Sequence, residues 1–161
     1  MNFMKNSLFQ RNLEQEREEE MPKIAVCDDD KESVIRLKEM ILSAGISKEI
    51  DCYESGEKLV ESDQNYDILF LDIDMDGMNG IETARQIRES DVNCNIIFIT
   101  SFEQYSKEAI SVHPFAFVDK PITYAQMEKL ISDVYEKLQI DDKFAFKSNK
   151  TYYNISLNKI M

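Results

Sequence analysis

The sequence predicts a doubly wound α/β domain, a parallel sheet with helices on both faces, and three observations predict it. Short apolar runs end abruptly at polar residues. Segments with apolar residues at helical spacing separate those runs. The two signals alternate, strand then helix, five times between Lys23 and Ile140. Unbroken apolar runs of this length read as strands buried on both faces, the habit of parallel sheets. Alternation at this spacing implies crossover helices and a layered α/β architecture.

The elements follow in order. Ile24-Ala25-Val26-Cys27 is the first strand and stops at Asp28. Val34, Leu37, Ile41 and Leu42 mark the first helix, and Gly45 is its natural stop. Glu49-Ile50-Asp51-Cys52-Tyr53 is a weaker second strand, and Ser55 caps a short helix through Leu59-Val60. Ile68-Leu69-Phe70-Leu71 stops at Asp72; Ile81, Ala84 and Ile87 then mark a third helix ending near Ser90. Ile96-Ile97-Phe98-Ile99 stops at Thr100-Ser101 and is followed by a less amphipathic helix over 103–111. Phe115-Ala116-Phe117-Val118 stops at Asp119-Lys120-Pro121. Thr123 and Gln126 have capping-box spacing, and Met127, Leu130, Ile131, Val134 and Leu138 carry the fifth helix.

Two flanks stand outside this unit. Residues 1–20 are polar, end in Glu18-Glu19-Glu20, and read as an extension or tag ahead of Met21; the domain itself takes 21–140. Residues 141–161 read as a linker and two strands, with Ser148-Asn149-Lys150 as the turn of a hairpin-like tail.

A net charge of −12 repels phosphate backbones, so the fragment is not expected to bind nucleic acid unaided. No apolar run is long enough to span a bilayer, and the first residues lack the order of a secretion signal, so a cytoplasmic protein without membrane contact is expected. Cys27, Cys52 and Cys94 are widely spaced and His113 is the one histidine, which argues against zinc and for reduced thiols.

The chemistry sits where the strands stop. The first gives Asp28, Asp29 and Asp30, the third Asp72, the fourth Thr100 and the fifth Lys120. A parallel sheet brings all of these to one edge, where such folds place ligands. Clustered carboxylates raise one another's pKa, and a hard divalent cation, Mg²⁺ rather than Zn²⁺, relieves the conflict. A lysine and a threonine beside a metal-neutralised aspartate suggest phosphoryl transfer to the carboxylate. Each residue alone has a plainer role, as helix cap, turn former or strand end. The order of all four segments carries the reading. Asp30 is expected as the N-cap of the first helix.

IAVCDDD, YDILFLDIDMDGMNGIETA, IIFITS and FAFVDKP resemble the four signature segments of the response-regulator receiver (CheY-like) family, across residues 22 to about 140. The resemblance implies a flavodoxin-like (βα)5 fold with strand order 2-1-3-4-5. It implies Asp72 as phosphoacceptor, with Asp29 binding Mg²⁺ directly, Asp28 largely through water, and Asp74 through its backbone carbonyl. Thr100 would hydrogen-bond the phosphoryl group, Lys120 would pair with it, and Phe117 would be the switch aromatic. The Lys120–Pro121 peptide is commonly cis in the family. A sensor histidine kinase would be the donor, and phosphorylation would promote homodimers through the fourth helix, fifth strand and fifth helix. Such a domain undergoes phosphorylation and dephosphorylation without being an enzyme for an external substrate.

Three departures stand out. Asp76 occupies a position usually held by proline, Asp30 extends the acidic pair, and Phe102 could restrict water near the phosphoryl group. The tail FAFKSNKTYYNISLNKI and the segment YSKEAISVHPFAFVDKP resemble AgrA/LytR-class regulators. That resemblance implies a truncated LytTR DNA-binding domain, so that DNA would be contacted only through its missing part.

The segment DIDMDG also fits other readings. Asp72, Asp74, Asp76 and Gly77 fit the start of a calcium loop, but Thr83 stands at the twelfth position, where a glutamate is needed. A haloacid-dehalogenase-type phosphatase would use Asp72 as nucleophile and Asp74 as acid, but that family usually places its nucleophile on the first strand. A receiver-like interaction module that is never phosphorylated is a third alternative.

Overall fold

The computed structural model describes residues 10–11, 21–101 and 106–150, the side chains of 106 and 140–150 aside. Five strands form one sheet: β1 (Ile24–Cys27), β2 (Ile50–Tyr53), β3 (Ile68–Leu71), β4 (Asn95–Thr100) and β5 (Ala116–Asp119). The order is β2-β1-β3-β4-β5 and every pairing is parallel. Five helices connect and close the layers: α1 (Lys31–Ser43), α2 (Gly56–Glu61), α3 (Gly80–Ser90), α4 (Ser106–Ile110) and α5 (Tyr124–Lys150). The expected fold class and strand order are both present.

Strand periodicity divides the core in two. Ile24, Val26, Phe70, Ile97 and Ile99 point to one face, where Leu37, Met40 and Ile41 of α1 and Met127, Ile131 and Val134 of α5 cover them. Ala25, Cys27, Leu69, Leu71, Ile96 and Phe98 point to the other, against Leu59, Ile81, Ala84 and Ala109. Each fully buried Ile, Leu or Phe contributes about 1.5–3 kcal/mol, so the central strands hold the sheet. The edge strands are less enclosed: β5 alternates between intermediate and exposed positions.

The helix ends follow the local chemistry. Asp30 caps α1 by accepting from the Glu32 and Ser33 amides, as expected. Ser55 caps α2, Asn79 and Glu82 form a capping box on α3, and Thr123 and Gln126 exchange hydrogen bonds at the start of α5. Gly45 takes φ +74° just beyond α1, a conformation that disfavours a Cβ. The Lys120–Pro121 peptide is cis. At the opposite end of the sheet the Lys137 ammonium of α5 donates to Asn95 Oδ1 at 2.6 Å, and Asn95 Nδ2 donates to the Asp67 carbonyl at 3.0 Å.

The tail differs from expectation. Residues 144–147, read as the first arm of a hairpin, continue α5, which crosses the expected boundary at 140 and runs to Lys150. Neither glycine nor proline occurs between Tyr124 and Lys150. A helix satisfies those backbone groups locally, whereas an isolated hairpin is marginal. The second arm and Phe102 lie outside the described residues.

Candidate phosphoacceptor and cation site

The first strand end positions two acids differently. Asp28 is 1% exposed, and its Oδ1 accepts the Asp30 amide at 2.9 Å, which turns the chain into α1. Asp29 is exposed. Its Oδ2 accepts the Asp76 amide at 2.9 Å, a contact that sequence reasoning missed. Asp72 follows β3, is 6% exposed, and its amide donates to the Cys27 carbonyl at 3.0 Å, extending the β1–β3 ladder by one bond. That bond sets the acidic ends of the two strands side by side.

Oxygens of Asp28, Asp29 and Asp72 lie within 4.8 Å of one another, the arrangement expected of a cation site. Lys120 reaches in from the end of β5. Its Nζ donates to Asp28 Oδ2 at 2.7 Å and to Asp72 Oδ2 at 3.2 Å. Burial pushes the Asp72 carboxyl above the usual carboxylate range; Lys120 pulls it back, and the charge of Asp28 adds to the rise. Burial works against the Lys120 charge, but the hydrogen bond it donates to Asp28 and the charge of Asp72 prevail and hold its pKa above the ordinary value. Three carboxylates facing one ammonium leave a negative excess. An all-oxygen set with one exposed member fits a hard divalent ion of the Mg²⁺ kind.

Thr100 closes β4 at the same edge, buried and in register with Asp119, and its carbonyl accepts the Lys120 amide at 3.0 Å. Asp74 is exposed and its amide donates to Asp72 Oδ1 at 3.4 Å. Phe117 does not join the acids. It lies two residues before the end of β5, 42% exposed, stacked on Phe98 with ring centroids 5.5 Å apart. His113 takes φ 49° and its carbonyl accepts from Arg88, a turn role away from the acids.

The loop after Asp72 is fastened by groups with no sequence signature. Glu57 Oε1 accepts the Met78 amide at 2.7 Å, and Gly77 beside it has φ +76°. Gly80 packs so tightly that a Cβ there would meet the Asp72 carbonyl oxygen at 2.1 Å. The carboxylates grouped with Asp72 are Asp28 and Asp29, rather than the Asp74 and Asp76 that a calcium loop requires. A buried strand, not a helix, leads into the loop.

The sequence matches the response regulator receiver domain family over residues 24–132. The chain belongs to that family. LytT, a sensory transduction protein of Bacillus subtilis (strain 168), is 26% identical over 123 residues, covering 75% of this chain and 51% of the relative. LytR, a transcriptional regulatory protein of Staphylococcus aureus (strain MW2), is 27% identical over 125 residues, covering 76% and 51%. The chain spans about half the length of these curated relatives. Among solved structures, the receiver domain of AraT, a response regulator from Geobacillus stearothermophilus, superposes with a TM-score of 0.69 at 26% identity, covering 76% of this chain and 98% of that one. The response regulator TrrA of Thermotoga maritima, solved in complex with Mg²⁺-BeF, gives 0.64 at 29% identity, covering 71% and 99%. The receiver is thus a signalling domain of the two-component type. Among its described residues no helix is long and apolar enough to cross a membrane.

Proposed function

We propose that this receiver accepts a phosphoryl group on Asp72 from the phosphohistidine of a sensor histidine kinase, with Asp28, Asp29 and Asp72 holding Mg²⁺ and Asp74 adding its backbone carbonyl. The observation that carries the reading is the meeting of Asp28, Asp29, Asp72 and Lys120 at one sheet edge. Bound Mg²⁺ would offset charge on the phosphoryl oxygens. An Asp72 carboxylate oxygen attacks phosphorus, the P–N bond breaks, and its electron pair leaves with the donor imidazole. Lys120, already on Asp72, follows the charge as it moves onto the phosphoryl group. The Thr100 hydroxyl donates to the same group. Water later cleaves the acyl phosphate, which resets Asp72 without turnover of an external substrate.

The switch would run from Thr100 to Phe117, whose ring is half-exposed on the last strand. Ile110, Phe117, Tyr124 and Tyr135 expose apolar surface on α4, β5 and α5, which supports phosphorylation-promoted homodimers through that face. The LytT and LytR relatives support an output through a LytTR-type DNA-binding domain whose linker and opening segment fall within 141–161, in a cytoplasmic regulator that touches DNA only through that domain. Residues 1–20 would be an extension to the receiver.

Acetyl phosphate with Mg²⁺, read by intact mass, tests the reading. The parent is expected to gain one phosphoryl group and lose it slowly, while Asp72→Ala gains none. Labelling of the Asp72→Ala variant, or steady turnover of a generic phosphate ester, would overturn it.

A further inference from the structure

The loop from Asp74 to Gly80 uses alternate backbone amides in the same way. The Asp74 N–H donates to Asp72 Oδ1 at 3.4 Å, the Asp76 N–H to Asp29 Oδ2 at 2.9 Å, the Met78 N–H to Glu57 Oε1 at 2.7 Å and the Gly80 N–H to the Ile73 carbonyl at 2.8 Å. Three of these four acceptors are carboxylates, and two belong to the acidic cluster. Asp72 is held on its other side by Lys120, and Asp28 by both Lys120 and the Asp30 amide. Asp29 is the exposed member of the cluster. A short exposed side chain with no partner samples several rotamers, and a cation that binds it bears the cost of ordering it.

The Asp76 amide supplies that order in advance. Its direction is fixed one residue later, where Gly77 adopts φ +76° and a Cβ would lie 2.6 Å from Glu57 Oε1, so the chain turns against the α2 carboxylate in one way. A carboxylate offers about four lone-pair sites, so one accepted hydrogen bond leaves Asp29 able to ligate an ion. The bond requires only that residue 76 carry an N–H, which every residue but proline does.

We propose that the Asp76 backbone N–H is a positioning donor that holds the Asp29 carboxylate in the cation site, and that residue 76 governs cation affinity through its amide rather than its side chain. This rests on the reading of Asp28, Asp29 and Asp72 as the cation ligands. Asp76 touches no substrate; it acts through Asp29.

Two substitutions separate the amide from the side chain: Asp76→Ala removes the carboxylate alone, and Asp76→Pro removes the carboxylate and the N–H together. Mg²⁺ titration by calorimetry at constant ionic strength is expected to find Asp76→Ala within about twofold of the parent and Asp76→Pro about tenfold or more weaker, the size expected for losing a hydrogen bond to a charged group. Equal affinities for the two variants would overturn the inference. Should Asp76→Pro lack a cooperative melt, amide NMR of the metal-free parent and of Asp29→Ala decides instead. The Asp76 amide proton is expected downfield and protected from exchange in the parent, and shifted and unprotected in Asp29→Ala. An Asp76 amide indifferent to Asp29 would sink the proposal. A parent that binds no Mg²⁺ while its Asp76 amide still responds to Asp29 would overturn the cation reading and the claim on affinity together, leaving only the hydrogen bond.

Discussion

The Lys120 ammonium stands closer to Asp28 than to Asp72, 2.7 Å against 3.2 Å. Without metal this lysine is therefore the counter-ion of two acids at once. Lys120→Met leaves two buried carboxylates uncompensated, and breaking such a pair from one side is costly. With Lys120 itself partly open to solvent, a loss of about 1–3 kcal/mol is expected in urea unfolding with chelator present. Added Mg²⁺ should restore more stability to the variant than to the parent. An unchanged midpoint without metal would show that the pair contributes nothing net.

Asp72 predicts a pH dependence whose sign follows from its raised pKa. The folded metal-free receiver keeps a proton on Asp72 at pH values where the unfolded chain, near the ordinary value of about 3.9, has released it. Stability tied to this group is thus complete below the unfolded pKa and falls as pH rises through the window up to the folded one. Asp72→Asn, which cannot ionise, should raise the melting temperature of the metal-free domain near neutral pH. The gain should disappear as the solution is made acid. A variant less stable than the parent at neutral pH would contradict the sign.

Thiol labelling separates the cysteines. Burial pushes Cys27 and Cys94 up to about 12, with neighbouring acids adding to the rise in each, whereas Cys52 is exposed. Near pH 8 one thiol should react quickly with a disulfide reagent and the other two only after denaturation. Three equal native rates would contradict the burial of Cys27 and Cys94 in the core.

Two glycines should behave differently when given a methyl group. A Cβ at Gly56 would lie 2.0 Å from Thr83 Oγ1, a side-chain atom, and one at Gly80 would lie 2.1 Å from the Asp72 backbone oxygen. Both alanine variants are expected to lose about 1–3 kcal/mol from overpacking. Adding Thr83→Ala should recover part of the loss for Gly56→Ala. No side-chain change can relieve Gly80→Ala, which should also slow labelling of Asp72 by acetyl phosphate. Rescue of both, or of neither, would contradict the contacts.

The central strands and the strand-end acids were legible because parallel strands buried on both faces leave unbroken apolar runs, and β1, β3 and β4 are buried throughout. Asp30 and Ser55 were legible as caps because short polar side chains satisfy helix amides at fixed spacing. The fastening of the 74–80 loop was not, since three of its four bonds run from backbone amides to distant or non-specific acceptors. Glu57 belongs to the first turn of α2, and nothing in its surroundings in sequence points to Met78. Residues 144–147 misled because a short alternating run suits a strand, while the absence of any breaker after Tyr124 lets the helix continue.

The bond between Lys137 and Asn95 ties α5 to the floor of the sheet, remote from the acids. The upper end of that helix follows directly from Lys120, Pro121 and Ile122, beside the charged cluster. Between those two ends Met127, Ile131 and Val134 press the helix onto the sheet, so it is held along its length and not at Asn95 alone. The stretch with freedom to respond to Lys120 is therefore the short turn through Pro121 and Ile122 rather than the helix body.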